Sequence, residues 1–196
     1  MRKTWKQISA FLLAMLLTVS LGTAAAFASE SEAKSGPLGI ISAMDVELQK
    51  LVEEAEITKE ETVSGSTFYT GTLHGVDVVL VRAGIGKVLA ASCTQTLINN
   101  YRVGGVVFTG IAGGVGDDVN VMDMVIGTGL VQHDYGTETN DGFEWNGKAA
   151  EDAETGIIPV DEALSKLAYA SACKVLGEEK VHQGVIATGD QFISSE

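Results

Sequence analysis

The chain has 196 residues, 45% of them hydrophobic, which is enough for one domain with a sizeable core. Its formal net charge is −13, so nucleic acid and anionic lipid surfaces make poor partners. With only three histidines in unrelated contexts, a metal centre is not expected.

Residues 1–28 have the pattern of a secretory signal peptide. Arg2, Lys3 and Lys6 form a positive start, Ile8 to Leu21 an apolar core, and Ala26-Phe27-Ala28 a small-x-small cleavage site. The apolar core is short for a membrane span, so cleavage before Ser29 and export are expected, with no stable membrane span afterwards. Cleavage removes three positive charges and no negative ones, taking the formal charge from −13 to −16. Residues 29–37 are small and polar, a tether to a domain that occupies 38–196.

The domain opens with LGIISAMDVE. Leu38 to Ile41 is a short apolar run rich in β-branched residues, as in a strand buried on both faces. Ser42 and Ala43 are small enough for the turn to pass close to a ligand. Asp45 is placed to cap a helix whose apolar positions are Val46, Leu48, Leu51 and Val52. Glu47 then falls in the first helical turn, just past the carboxyl end of a strand, where open α/β sheets bind ligands. A surface glutamate favoured by the helix dipole would look the same in sequence.

Acid-rich Glu53 to Glu61 reads as a helix end and an exposed loop. Ser66 to Leu73 alternates as strands do, and His74-Gly75 turns it into a second strand, Val76 to Arg82. Ala83-Gly84-Ile85-Gly86-Lys87 follows, then a helix over about Val88 to Asn100. GIGK lacks the glycine spacing of a phosphate loop, and Val88 stands where Ser or Thr would bind magnesium. Its glycines read instead as letting the backbone approach a ligand or another strand.

Gly105 to Thr109 reads as a fully buried strand leading into Gly110-Ile111-Ala112-Gly113-Gly114. No helical period follows, so this is not a dinucleotide loop, and no cofactor is expected. A bare backbone wall against a flat ligand fits these glycines better than a tight turn needing positive φ, which suits one glycine more readily than three within five residues. Met124 to Val131 reads as a strand ended by His133-Asp134-Tyr135, and polar, Gly-rich Thr137 to Gly156 as a long mobile loop. Asp161 to Leu176 is an amphipathic helix with Asp161 as N-cap and Gly177 as its stop. Val181 to Thr188 is a further strand, followed by Gly189-Asp190-Gln191-Phe192-Ile193. Cys93 and Cys173 both fall in helices and read as buried free thiols.

Four stretches, GIISAMDVE, AGIGK, TGIAGG and ATGDQFI, occur in one order with compatible spacing. Together they resemble the 5′-methylthioadenosine/S-adenosylhomocysteine nucleosidases of the nucleoside phosphorylase superfamily, from Leu38 to about Ser194. The resemblance implies a three-layer α/β/α fold with a mixed, partly barrel-like central sheet, usually in a homodimer. It also implies hydrolysis of the bond between adenine and the ribosyl carbon of a small-molecule nucleoside. Glu47 matches the catalytic glutamate that activates water. Ala43 belongs to the turn beside it; Ile85, Ala112 and Gly113 match positions lining the nucleoside. Phe192 matches the aromatic that stacks on the purine, and Ile193 the residue whose backbone meets the adenine edge.

The sequence departs from the family in three ways. Ile111 stands where some relatives have Ser, and the signal peptide is unusual for a family that mostly acts in the cytoplasm. The family's Met-Glu pair and acidic aspartate lie further along than Glu196, so the fold is expected to be incomplete at the C-terminus, its last strand an exposed edge, and turnover by residues 29–196 alone little or none. A phosphorylase of the same superfamily needs cations near the first loop, where Glu47 would repel phosphate. A non-catalytic extracytoplasmic nucleoside-binding protein is the other alternative.

Overall fold

A computed structural model describes residues 36–145, 156–191 and 193. The signal peptide, most of the tether, residues 146–155 of the polar loop, and Phe192 lie outside the described residues. The chain divides into two compact units, Met1–Val115 and Gly116–Glu196.

The first unit is built on a five-stranded mixed sheet in the order β2-β3-β4-β1-β5. Its strands are β1 (Leu38–Ser42), β2 (Glu56–Val63), β3 (Ser66–Leu73), β4 (Val76–Arg82) and β5 (Gly105–Phe108). β1 runs parallel to both β4 and β5, while β2, β3 and β4 form an antiparallel meander. Helices α1 (Asp45–Glu54) and α2 (Lys87–Thr96) complete the unit, α2 passing into a π-helical turn at Leu97–Tyr101.

Strand alternation sends neighbouring residues to opposite layers. Ile40, Val78 and Leu80 pack with Leu48 and Leu51 of α1. Ile41, Val79 and Val81 pack with Cys93 of α2 and Leu97. A sheet covered on both faces explains the unbroken apolar runs of β1 and β4. Each fully buried aliphatic side chain contributes about 1.5–3 kcal/mol. The expected three layers are present in this unit, and among the described residues no sheet closes into a barrel.

Two expectations are corrected here. Glu56–Val63 is a strand rather than a loop. It pairs with β3 through a two-residue turn, Ser64-Gly65, in which both residues have positive φ (52° and 84°). Its exposed Glu56, Lys59 and Glu60 are the charges that edge strands carry against aggregation. β5 is only half-buried and Phe108 is exposed, because β5 ends the sheet. Gly84 and Gly86 have φ of 91° and 110°, so the glycines of AGIGK turn the chain into α2.

The second unit holds a three-stranded sheet in the order β10-β6-β9 and a separate β7-β8 hairpin. The strands are β6 (Met124–Gln132), β7 (Gly136–Thr139), β8 (Gly142–Trp145), β9 (Ile158–Pro159) and β10 (Val181–Thr188), with helix α3 (Glu162–Leu176) before β10. The polar stretch read as a long loop therefore begins as a hairpin. Trp145 Nε1–H donates to the Gln132 carbonyl at 2.8 Å, anchoring that hairpin to the end of β6. Asp161 caps α3 by accepting from Leu164 N–H at 2.9 Å, and Gly177 ends it at φ 88°. Both cysteines are free, but only Cys93 is buried; Cys173 is half-exposed. No described helix is long and apolar enough to cross a membrane.

Candidate active site

The site starts where β1 stops. Parallel β4 and β5 flank β1, so the chain leaves all three strands at one edge of the sheet. The Ala83 N–H donates to the Ser42 carbonyl and the Thr109 N–H to the Ile41 carbonyl, each at 2.9 Å. The turn at Ala43-Met44, the loop at Gly84-Ile85-Gly86 and the loop from Gly110 to Gly113 thus lie side by side. Three motifs far apart in sequence share the carboxyl edge, where α/β sheets bind ligands.

Met44, not Asp45, is the N-cap of α1, with φ −125° and ψ 154°. A Met side chain cannot accept the helix's free N–H groups, so the capping falls to the third helical residue. Glu47 folds back and its Oε2 accepts the N–H of Met44 at 2.9 Å and of Ala43 at 3.0 Å. This is the glutamate half of a capping box. Asp45 is mostly exposed and pairs with Arg82 Nε at 2.9 Å.

Glu47 is 5% exposed, which rules out the plain surface glutamate. Its Oε1 accepts the Ile111 N–H at 3.0 Å. Three backbone donors from two separate segments thus fix the carboxylate. Such a fixed, buried carboxylate at a strand end can take a proton from water or stabilise a cation beside it.

Gly110 adjoins this carboxylate. A Cβ there would lie 2.9 Å from Glu47 Oε1 and 3.3 Å from its Cδ. None of Gly110, Gly113 and Gly114 has positive φ, so the turn reading of these glycines is set aside: Gly110 is small for space. A Cβ at Gly113 would meet nothing within 4 Å. Gly110 was missed as a site residue, and Ile111 was read only through its side chain. That side chain is 74% exposed; the site uses the backbone N–H. The available signal was a glycine directly after a strand end, opposite a motif carrying an acid.

Of the remaining expected site residues, Ala43 is half-buried and bonded to Glu47, while Ala112 and Gly113 are exposed in the loop after β5. Ile85 is 76% exposed. Ile193 is exposed in the second unit, just after β10. There the His133 N–H donates to the Thr188 carbonyl at 3.0 Å, and Asp134 Oδ2 accepts the Asp190 N–H at 2.6 Å. These bonds tie the chain ends of β6 and β10 together. Phe192, as noted, is not among the described residues.

Among the described residues, Ser42 Oγ is buried without a hydrogen-bond partner, directly before the Ala43-Met44 turn. No described group of three or more His, Cys, Asp or Glu is placed to hold a metal.

Residues 37–196 match the phosphorylase superfamily. The chain is 41% identical over 156 residues to the 5′-methylthioadenosine/S-adenosylhomocysteine nucleosidase of Shewanella sediminis, covering 80% of this chain and 66% of that protein. It thus spans slightly under two thirds of that relative's length. A crystal structure of the Neisseria meningitidis nucleosidase of the same name, in complex with methylthio-immucillin-A, is similar with a TM-score of 0.71 and 33% identity. That match covers 82% of this chain and 68% of the other. The Colwellia psychrerythraea nucleosidase, in complex with adenine, gives a TM-score of 0.68 and 35% identity, covering 83% of this chain and 65% of the other.

Proposed function

The chain belongs to the phosphorylase superfamily, and on that premise we propose that it hydrolyses the N-glycosidic bond of 5′-methylthioadenosine and S-adenosylhomocysteine. The observation that carries this reading is the buried Glu47 carboxylate, fixed by three N–H donors at the carboxyl edge of β1. In the reaction, water oxygen bonds to the anomeric carbon as the carbon–nitrogen bond breaks. The electron pair of that bond leaves with adenine. Glu47 takes the proton from the water, the departing adenine takes one from solvent, and Glu47 returns its own to solvent to reset the site. Glu47 also offsets the positive charge that builds on the sugar.

Ala43, Ile85, Ala112 and Gly113 line the nucleoside in this reading, while the base-binding roles of Phe192 and Ile193 rest on the family resemblance alone. The identities of 41% to the Shewanella relative and 33% to the Neisseria enzyme in complex with methylthio-immucillin-A support it. Arg82, at the end of β4, pairs with Asp45, which weakens the case for a phosphate subsite there.

The chain acts as an exported homodimer in the same proposal. Exposed Val88 and Leu89 of α2, with Ile98 just beyond, offer apolar surface for a second copy. Light scattering and mass spectrometry of the amino terminus, expected at Ser29, test those two points.

Incubation with methylthioadenosine, with and without phosphate, tests the reaction. Release of adenine and free methylthioribose independent of phosphate is the expected result for a chain that also carries the family's Met-Glu pair and aspartate, and little or none for residues 29–196 alone. Release that requires phosphate would indicate a phosphorylase, and nucleoside binding without release a binding protein.

A further inference from the structure

We infer that Oε1 is the atom of Glu47 that accepts the proton from water, and that Gly110 is the positioning residue that keeps this oxygen open. The inference rests on the hydrolytic reading above and takes it to a single atom.

A carboxylate offers about four acceptor sites, two on each oxygen. Oε2 spends both of its own on the N–H groups of Ala43 and Met44. Among the described residues, Oε1 spends one on the N–H of Ile111 and keeps one. The free acceptor site is therefore on Oε1. A water donating to it sits at about 2.7–2.8 Å from the oxygen.

Gly110 is what that shell requires. Its φ is not in the left-handed region, so an L side chain is permitted by its backbone. The space is what forbids one, since a Cβ would stand 2.9 Å from Oε1 and farther, at 3.4 Å, from Oε2. The added methyl competes with water for the open side of Oε1 or pushes the carboxylate off its three donors. Gly110 is itself exposed while Glu47 is 5% exposed, so the glycine is where solvent comes nearest this face of the buried acid's Oε1 in the loop after β5.

The test is Gly110→Ala in the full chain, alone and with Glu47→Ala, read by turnover and by thermal unfolding. Gly110→Ala is expected to lower kcat for adenine release by about 10²-fold, as small misplacements of reacting groups do, with KM little changed. It is also expected to lower Tm by several degrees in the parent chain but by much less in the Glu47→Ala background, where the crowded oxygens are gone. The Glu47→Ala background gives Gly110→Ala room to fold. An equal Tm loss in both backgrounds, or a kcat unchanged by Gly110→Ala, overturns the positioning role. If a chain that also carries the family's Met-Glu pair and aspartate releases no adenine, the hydrolytic reading fails and the proton assignment with it. The unfolding comparison still decides whether Gly110 makes room for Glu47.

Discussion

Glu47 Oε1 accepts the backbone N–H of Ile111 at 3.0 Å, a contact reaching across 64 positions of chain. The same side chain caps α1 through Met44, so one residue closes the first turn of a helix and holds the loop after β5.

That double role makes the loop depend on the acid. Glu47→Ala removes the partner of three N–H groups and is expected to destabilise the chain by about 1–3 kcal/mol. Hydrogen exchange at the Ile111 amide should accelerate markedly more than at Val79 in the core. Unchanged protection at Ile111 would mean that the loop is held by other means.

Ser42 presents the opposite case. Its hydroxyl is buried and has no partner among the described residues, which carries a desolvation penalty of about 1–3 kcal/mol. Ser42→Ala removes the hydroxyl at nearly constant shape. Denaturant unfolding should show a midpoint equal to or above that of the parent, and a clear loss of stability would mean that an ordered water satisfies the hydroxyl.

Asp123 governs the acid limb of stability in the second unit. Its side chain is 1% exposed and is held by the Asn120 N–H at 2.9 Å, Lys180 at 3.0 Å and His182 at 3.1 Å. The Asn120 backbone hydrogen bond, then those from Lys180 and His182, hold its pKa well below the ordinary carboxylate value. The unfolded chain therefore binds a proton more readily than the native one. The stability Asp123 contributes is present above the unfolded pKa of about 3.9 and is lost as pH falls toward the native one. Thermal melts from about pH 6 down to about pH 2.5 should show a steeper fall for the parent than for Asp123→Asn. Parallel curves would remove Asp123 from this role.

What the sequence made legible follows the strength of local signals. β4, β10 and the Asp161-to-Gly177 limits of α3 were readable because alternation and capping act over a few residues. β2 was not, because an edge strand carrying Glu56, Lys59 and Glu60 looks like a loop when charge is weighed above the Ser64-Gly65 turn that closes its hairpin. Glu47 could be singled out by position. Its link to Ile111 and its crowding of Gly110 could not, since both arise only when β5 pairs with β1. Met44 takes the N-cap position in place of Asp45, and Glu47 reaches back to accept the Met44 N–H, a bond that spacing alone does not announce.

Turnover of methylthioadenosine by Glu47→Gln, in a chain that also carries the family's Met-Glu pair and aspartate, tests the central claim most directly. The amide keeps the size of the side chain but cannot take a proton from water, and its NH₂ must face one of the three N–H donors. Adenine release is expected to fall about 10²–10⁴-fold with nucleoside binding retained, as loss of a general base does. Turnover equal to that of the unsubstituted chain would contradict Glu47 as the base.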